Sequence, residues 1–269
     1  MAARIVLNKI PMHSFDEPEF SIGELKDFKL DPFTQLVQSL RGFACNASML
    51  VFGYHYYRAS EYQISGNAKN LNHVEYASAY YKFHAFQGDV LLRLRKACES
   101  RQDSLAAGTI FKLLENENNV EQLRSYIKNG FELTPKFDNY IKYIQKYCGE
   151  LATPKEKINK DSDALLNRVA LIRRMANKAI AHITLDDYKV RSNDIHQVFI
   201  AVLTIACAIQ TIMGALACKT NLVEVENMAY EVVHQSVPSE CKKKYVSFIL
   251  GMLPEWVEKN LTSMVFEVL

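Results

Sequence analysis

Residues 198–218 read VFIAVLTIACAIQTIMGALAC and contain no charged side chain. A stretch of this length and apolarity is long enough to cross a lipid bilayer as a helix. Gln210 lies near its middle, alanines and threonines dilute its hydrophobicity, and no aromatic belt flanks it, unlike a typical membrane span. The centre of a large helical domain also requires a helix that is apolar on all sides. We therefore interpret residues 198–218 as a buried core helix and expect no membrane association.

The positions of proline and glycine predict that the rest of the chain is helical as well. The seven prolines leave residues 33–134 and 155–237 free of proline, and the whole chain has ten glycines. Long stretches without these two breakers, rich in Leu, Ala, Lys, Glu and Gln, favour helices over many short strands. The sequence therefore predicts an all-α protein, a multi-helix bundle.

The sequence pattern divides this bundle into three parts. We expect an N-terminal arm over residues 1–32, a helical domain over 33–218, and a helical extension over 219–269 packed on the same domain. Within the domain, periodicity and polar loops predict helices over about residues 33–62, 73–100, 103–117, 119–129, 134–150, 163–183 and 193–219. The first two helices are expected to form an antiparallel pair, because only the short polar loop QISGNAKNLN separates them.

Composition and charge exclude several classes of protein. Of the 269 residues, 49% are apolar and 23% are charged, which is ordinary for a globular protein and argues against disorder. The 32 basic and 30 acidic side chains leave a net charge of only +2, so the chain as a whole is not a strongly basic nucleic-acid-binding domain. A local basic patch remains compatible with this balance.

Cysteine usage and the absence of common motifs predict a protein without metal or cofactor. The six cysteines form no C-x-x-C pair and lie mostly in apolar stretches, as buried thiols do in a reducing compartment. The sequence has no Gly-rich phosphate loop, no G-x-S-x-G and no H-E-x-x-H. Because the first residues also lack the apolar segment and cleavage site of a secretory signal, we expect a cytoplasmic location.

The string Leu171–Ile183, LIRRMANKAIAHI, holds the side chains best suited to chemistry. Helical spacing of about 100° per residue predicts an apolar arc facing the core, formed by Leu165, Val169, Ile172, Ala176, Ile180 and Ile183. Arg174 lies about 80° around the helix from His182, so both can face one neighbour, whereas Arg173 points nearly opposite His182. A histidine in the last turn of a helix is also favourable simply against the helix dipole. That structural interpretation stays open beside the functional one.

Four short segments together resemble one family. Asn177-Lys178-x-x-Ala181-His182 comes near the end of a predicted helix, and YKVRSNDIHQVF leads into the last core helix. Phe86-Gln-Gly-Asp89 with LLRLRKA resembles an aspartate-bearing helix, and Asp103-Ser104-Leu105 resembles the turn that follows it. These pieces, spread over residues 84–218, are similar to the HEPN superfamily (higher eukaryotes and prokaryotes nucleotide-binding), with AbiU-type abortive-infection proteins as the most similar branch.

The resemblance implies an all-α core, usually a homodimer, with RNA cleaved at the dimer cleft. In active members an arginine four to six residues before the histidine lines the site. Here the position directly before Asn177 is Ala176, and seven residues separate Arg174 from His182. The resemblance also implies a defence role of phage-exclusion or toxin type, with RNA and an antitoxin-like protein as possible partners.

Cleavage of RNA without a metal needs a base for the 2′-hydroxyl, an acid for the leaving oxygen and positive charge at the phosphorane. Our hypothesis assigns His182 as acid and base, Arg174 as phosphate clamp and Asn177 as a polar orienter. In a dimer, the second protomer would supply the other half of the pair. The alternative is a non-catalytic HEPN-like module that binds RNA, a nucleotide or a protein because the arginine is displaced.

Further basic and aromatic residues are weaker candidates. Nucleic-acid contacts are predicted for five basic side chains: Arg173, Lys178, Arg93, Arg95 and Lys96. For the basic stretch on the second helix, a solvated helix face is a better explanation than contact with nucleic acid. Across the first helical pair, one aromatic group faces another, and these rings favour core packing over base stacking: Tyr54, Tyr56, Tyr57 and Tyr62 on one side, and Tyr76, Tyr80, Tyr81, Phe83 and Phe86 on the other.

Overall fold

A computed structural model describes residues 30–66, 68–99, 106–128, 136–153, 164–181 and 190–214, together with a few single positions up to residue 231. Within these ranges every regular element is a helix, which confirms the predicted all-α bundle. The helices are α1 (Pro32–Gly66), α2 (His73–Ala97), α3 (Ala107–Leu114), α4 (Glu117–Lys128), α5 (Phe137–Ala152), α6 (Ala164–Ala181) and α7 (Ser192–Met213), with a 3-10 turn at Ala68–Asn70. All belong to one compact unit that begins at Pro32. The predicted arm and most of the predicted extension lie outside the described residues.

Helices α1 and α2 form the predicted antiparallel pair. Asn46 Nδ2 on α1 donates to the carbonyl of Arg93 on α2 at 3.2 Å, while Tyr57 meets Phe83 nearer the turn, so residue numbers rise along one helix as they fall along the other. The start of α2 is fixed by a capping box, in which Asn72 accepts from the first-turn amides and Glu75 accepts from the Asn72 amide. The polar loop therefore ends in a defined helix start.

Helix α7 is the centre of the bundle, as the sequence predicts. Almost every residue from Ile195 to Met213 is buried, including Gln210, whose side-chain oxygen accepts from the amide of Leu222 at 3.0 Å. Among the described residues, α7 alone is long and apolar enough to cross a membrane, but most of it is buried within the protein. Burial on all sides is the arrangement expected of a core helix.

The predicted end of α7 was wrong. The apolar pattern predicts a helix up to about Lys219, but α7 ends at Met213. Gly214 follows with a φ of +51°, a backbone conformation that glycine adopts without steric cost. Its amide donates to the carbonyl of Gln210 and closes the last turn. Apolarity alone therefore overestimates the length of this helix, since it continues past the glycine.

Helices α1, α2, α5 and α6 pack against α7, while α3 and α4 pack on α1. Helix α5 contacts both α3 and α7. Gly149 on α5 lies so close to α3 that a Cβ atom there would be 2.9 Å from the ring of Phe111. Helix α6 packs against α2 and α7, and its predicted apolar arc is confirmed at the members whose side chains are described: Val169, Ile172 and Ala176 are buried, and Leu165 packs partly buried against the core.

Candidate functional site

Helix α6 carries the predicted catalytic residues that the structure describes. Arg174 and Asn177 are one turn apart and both are exposed, Arg174 on the side opposite the buried apolar arc and Asn177 at the flank of the helix. Arg174 makes no hydrogen bond or ion pair with the described part of the chain. His182 lies outside the described residues, as does the side chain of Lys178. The outer face of α6, defined here by Arg174 and Asn177, thus presents an exposed guanidinium beside an amide.

Arg173 is half-buried, and its guanidinium is bound inside the protein. Its Nε donates to the carbonyl of Cys98 at 2.9 Å, and its Nη1 donates to the carbonyl of Thr153 at 2.8 Å. Its Nη2 donates to the carbonyls of Leu151 and Cys98. We call this arrangement, Arg173 with those three carbonyls, the Arg173 junction. A residue predicted to contact nucleic acid therefore has its donors engaged inside the protein.

The acceptors of the Arg173 junction are the carboxyl ends of two helices. Cys98 caps α2, while Leu151 and Thr153 lie at the end of α5. The last carbonyls of a helix have no partner within it and carry partial negative charge, so a cation there is stabilising. The last turn of α5 contains no basic residue of its own. Arg173 supplies that cation from a different helix.

Burial affects the titration of two groups at this junction. The pKa of Arg173 is lowered by burial, an effect that nearby Cys98 and Glu99 oppose. Burial raises the pKa of the Cys98 thiol from 9.0 to about 12, although Arg173 lowers it in part. The thiol of Cys148 is buried next to it, and burial raises its pKa as well. Both thiols are therefore protonated and unreactive at neutral pH.

The basic residues at the end of α2 differ in their partners and in their exposure to solvent. Arg93 donates through Nε to both carboxylate oxygens of Asp89, at 3.0 and 2.9 Å. Asp89 in turn lies against Gly53 of α1, where an added Cβ would come within 2.8 Å of its carboxylate. Arg95 is half-buried and Lys96 is exposed. The guanidinium of Arg93 is therefore held by a local carboxylate, whereas Lys96 presents its charge to solvent.

The structure separates the predicted aromatic cluster into packed and exposed rings. Tyr56 stacks on Phe86 with ring centres 4.9 Å apart, and this pair is the core packing that the sequence favours. Tyr54 points instead toward α7, where it stacks on Phe199 at 4.0 Å. By contrast, Tyr81 is 76% exposed on the first half of α2, and Tyr76 and Tyr80 are also exposed. Sequence spacing could not separate these groups because all of them lie near the same helical pair.

A second polar contact joins α1 to the start of α7, and the sequence analysis missed it. Tyr57 donates to Ser192 Oγ at 3.0 Å, and Ser192 donates to Glu61. Glu61 is also paired with the buried guanidinium of Arg58. Burial raises the pKa of Tyr57, partly offset by its bond to Ser192. A second bond runs beside these, since Tyr54 Oη and His196 Nδ1 are 2.6 Å apart.

We call the set of Tyr54, Tyr57, Arg58, Glu61, Ser192 and His196 the α1–α7 junction. The only part of it that the sequence signals is the Arg58 and Glu61 pair, three residues apart on one helix. The partners on α7 are more than 130 residues away along the chain. This distance explains why a local pattern cannot reveal the set.

Among the residues that the structure describes, no group of three or more His, Cys, Asp or Glu side chains is arranged to hold a metal ion. Comparison of the chain with family models, with curated proteins and with solved structures finds no match. The arguments for a function therefore depend on the residues described above.

Proposed function

We propose that this protein is a HEPN-like endoribonuclease that cleaves RNA without a metal ion, using the outer face of α6 together with His182. The observation that supports the proposal is the difference in surroundings between two consecutive arginines of α6. Arg173 is bound to carbonyls inside the protein, whereas Arg174 is exposed beside Asn177 and has no partner in the described part of the chain. An exposed guanidinium without an internal partner is available to bind a phosphate.

The chemistry assigned to these groups follows from their ionisation. Arg174 holds the scissile phosphate through its planar fork and stabilises the charge that develops on the phosphorane. His182 moves the proton between the 2′-hydroxyl and the leaving oxygen, because a histidine side chain can act as both acid and base. Asn177 orients the phosphate through its amide. Lys96 and Lys178, predicted from sequence as nucleic-acid contacts, would add positive charge for the RNA backbone.

A homodimer forms part of the proposal, with its contact on the outer side of α6. The apolar arc of α6 is buried within the chain itself, at Val169, Ile172 and Ala176. It therefore faces the core of its own protomer and is not available to join two protomers. We propose that the second protomer approaches the outer face instead and brings its own His182 near Arg174 of the first. A cytoplasmic location and an antitoxin-like protein partner belong to the same proposal.

The test is an RNA cleavage assay in the presence of EDTA, comparing wild type with His182→Ala and Arg174→Ala. We expect cleavage by wild type and its loss in both variants, by about a hundredfold or more, because each removes a group that acts in the transition state. Arg41→Ala is the matched control, since Arg41 is an exposed arginine on α1, and it should cleave like wild type. Undiminished cleavage by His182→Ala would refute the mechanism.

A non-catalytic RNA-binding module is the second candidate, and one observation favours it. The position where the resemblance expects the arginine is Ala176, which is fully buried against the core. An arginine has no room there, so the displacement to Arg174 is built into the packing of α6. In the same assay, RNA binding that depends on Arg174 without any cleavage by a folded dimeric wild type would support this candidate and exclude the nuclease.

A further inference from the structure

We propose that Arg173 is the positioning residue of the outer face of α6: it holds the helix in the rotation that turns Arg174 and Asn177 outward, and it does not itself contact RNA. This inference rests on the proposed function of that face. It also corrects the role predicted from sequence, where Arg173 is one of the nucleic-acid contacts. The guanidinium of Arg173 binds carbonyls of other helices, and these bonds fix the orientation of α6.

Arg173 binds several acceptors at once, and they come from different helices. The guanidinium donates to carbonyls of Cys98, Leu151 and Thr153, which come from the ends of two different helices. A single hydrogen bond would let α6 turn about it. A rigid planar fork bound to acceptors from α2 and α5 restrains both the rotation of α6 and its position along its axis.

The motion that this restraint prevents is a rotation of α6 about its axis. Consecutive residues on a helix differ in direction by about 100°, so even a fraction of that rotation carries Arg174 away from its outward direction. The apolar arc shares in this orientation, since Ile172, which directly precedes Arg173, is fully buried. The Arg173 junction adds hydrogen bonds to the ends of two further helices at the point where the site residues begin.

Arg173 has few hydrogen-bond donors left for a ligand. All three of its nitrogens donate to protein carbonyls, and the side chain is half-buried between helix ends. An RNA phosphate would have to displace these carbonyls and leave them without a donor inside the protein, which is costly. Arg174 meets no such competition, so the phosphate contact falls to it.

The test compares Arg173→Ala with Arg174→Ala, each as the full chain, in two measurements. The first is amide hydrogen exchange of α6, which needs no RNA. The second is binding of a fluorescein-labelled single-stranded oligoribonucleotide as a function of salt, at a temperature where all variants are folded by circular dichroism. Each measurement is repeated in millimolar guanidinium chloride, with sodium chloride at the same concentration as the control. Guanidinium can occupy the space that Arg173→Ala leaves beside the carbonyls.

We expect Arg173→Ala to speed exchange in α6 and to weaken RNA binding, with guanidinium reversing both effects. Its salt dependence should match that of wild type, because no phosphate contact is lost. Arg174→Ala should leave exchange unchanged and reduce the slope of log affinity against log salt by about 0.7, the value for one phosphate on a single strand. Arg173→Lys, which keeps the charge without the fork, should behave like Arg173→Ala and provides the comparison if the alanine variant does not fold.

Tyr54→Phe is the matched control, since it alters the α1–α7 junction and not α6. Tyr54→Phe should leave RNA binding unchanged. A loss of binding in this variant would mean that any destabilisation of the fold is enough to weaken RNA binding. The inference is overturned if Arg173→Ala leaves α6 exchange unchanged, or if it reduces the salt slope as Arg174→Ala does. If wild type binds no RNA, the proposed function fails, while faster exchange that guanidinium restores would still show that Arg173 positions α6.

Discussion

The Arg173 junction and the α1–α7 junction both place polar groups inside the bundle, but they are built in different ways. In the first, a single side chain serves backbone carbonyls, which are present whatever the sequence of α2 and α5. In the second, side chains bind side chains, and Glu61 and Ser192 each have more than one partner. The comparison shows that the first junction depends on one residue, whereas the second distributes its stability over several.

The largest effect is expected from removing the fork at the Arg173 junction. Arg173→Met keeps the apolar stem but leaves three carbonyls without their donor, so the free energy of unfolding should fall by about 3 kcal/mol. Urea denaturation followed by circular dichroism measures this change. The same substitution at exposed Arg41 should cost less than about 0.5 kcal/mol. Equal losses at the two positions would mean that the first junction does not depend on Arg173.

Alkaline pH should affect the same junction through the thiol of Cys98. The folded chain keeps this proton up to about pH 12, while the unfolded chain releases it near pH 9.0. Between these values the unfolded state binds fewer protons, so stability is complete below pH 9 and falls as pH rises, by at most about 1.4 kcal/mol per pH unit.

Urea denaturation of wild type and Cys98→Ala from pH 8 to alkaline pH tests this expectation. The variant should lose less stability as pH rises, with a remainder because burial also raises the pKa of Cys148. Identical pH dependence in the two proteins would show that the Cys98 thiol titrates normally in the folded chain.

A smaller effect is expected at the α1–α7 junction. Tyr54→Phe removes the hydroxyl that bonds His196 but keeps the ring stacked on Phe199. We expect a loss of about 1 kcal/mol in the free energy of unfolding, the usual contribution of one buried hydrogen bond. Tyr81→Phe, at an exposed tyrosine, should be neutral. A loss at Tyr54 as large as that at Arg173 would remove the distinction between the two junctions.

The sequence predicted the elements of this fold better than the contacts between them. Apolar periodicity and the sparse prolines identified all seven described helices, because helix formation and burial of one face are decided within a few turns. Helix ends were less certain where apolar residues continue past a glycine, as after Met213. The apolar arc of α6 was predicted correctly at Val169, Ile172 and Ala176, whereas the predicted placement of Arg173 opposite His182 stays a prediction, because His182 lies outside the described residues.

The polar partners could not be predicted, for a physical reason. The acceptors of Arg173 are backbone carbonyls, which have no sequence signature, and they lie 75 and 20 residues away along the chain. Which arginine turns inward follows from periodicity, but what it meets there depends on where α2 and α5 end. The exposed position of Arg174 could be anticipated, whereas its use in binding RNA remains a prediction.

The central position of α7 also has a consequence for how the chain is made. Among the described helices this one alone is long and apolar enough to cross a membrane, and α1, α2, α5 and α6, all of which pack against it, precede it in the sequence. Since synthesis proceeds from the N-terminus and earlier segments can fold first, the surfaces that cover α7 have already left the ribosome when α7 emerges. The order of helices along the gene thus shortens the time for which this apolar segment is exposed to chaperones and to membranes.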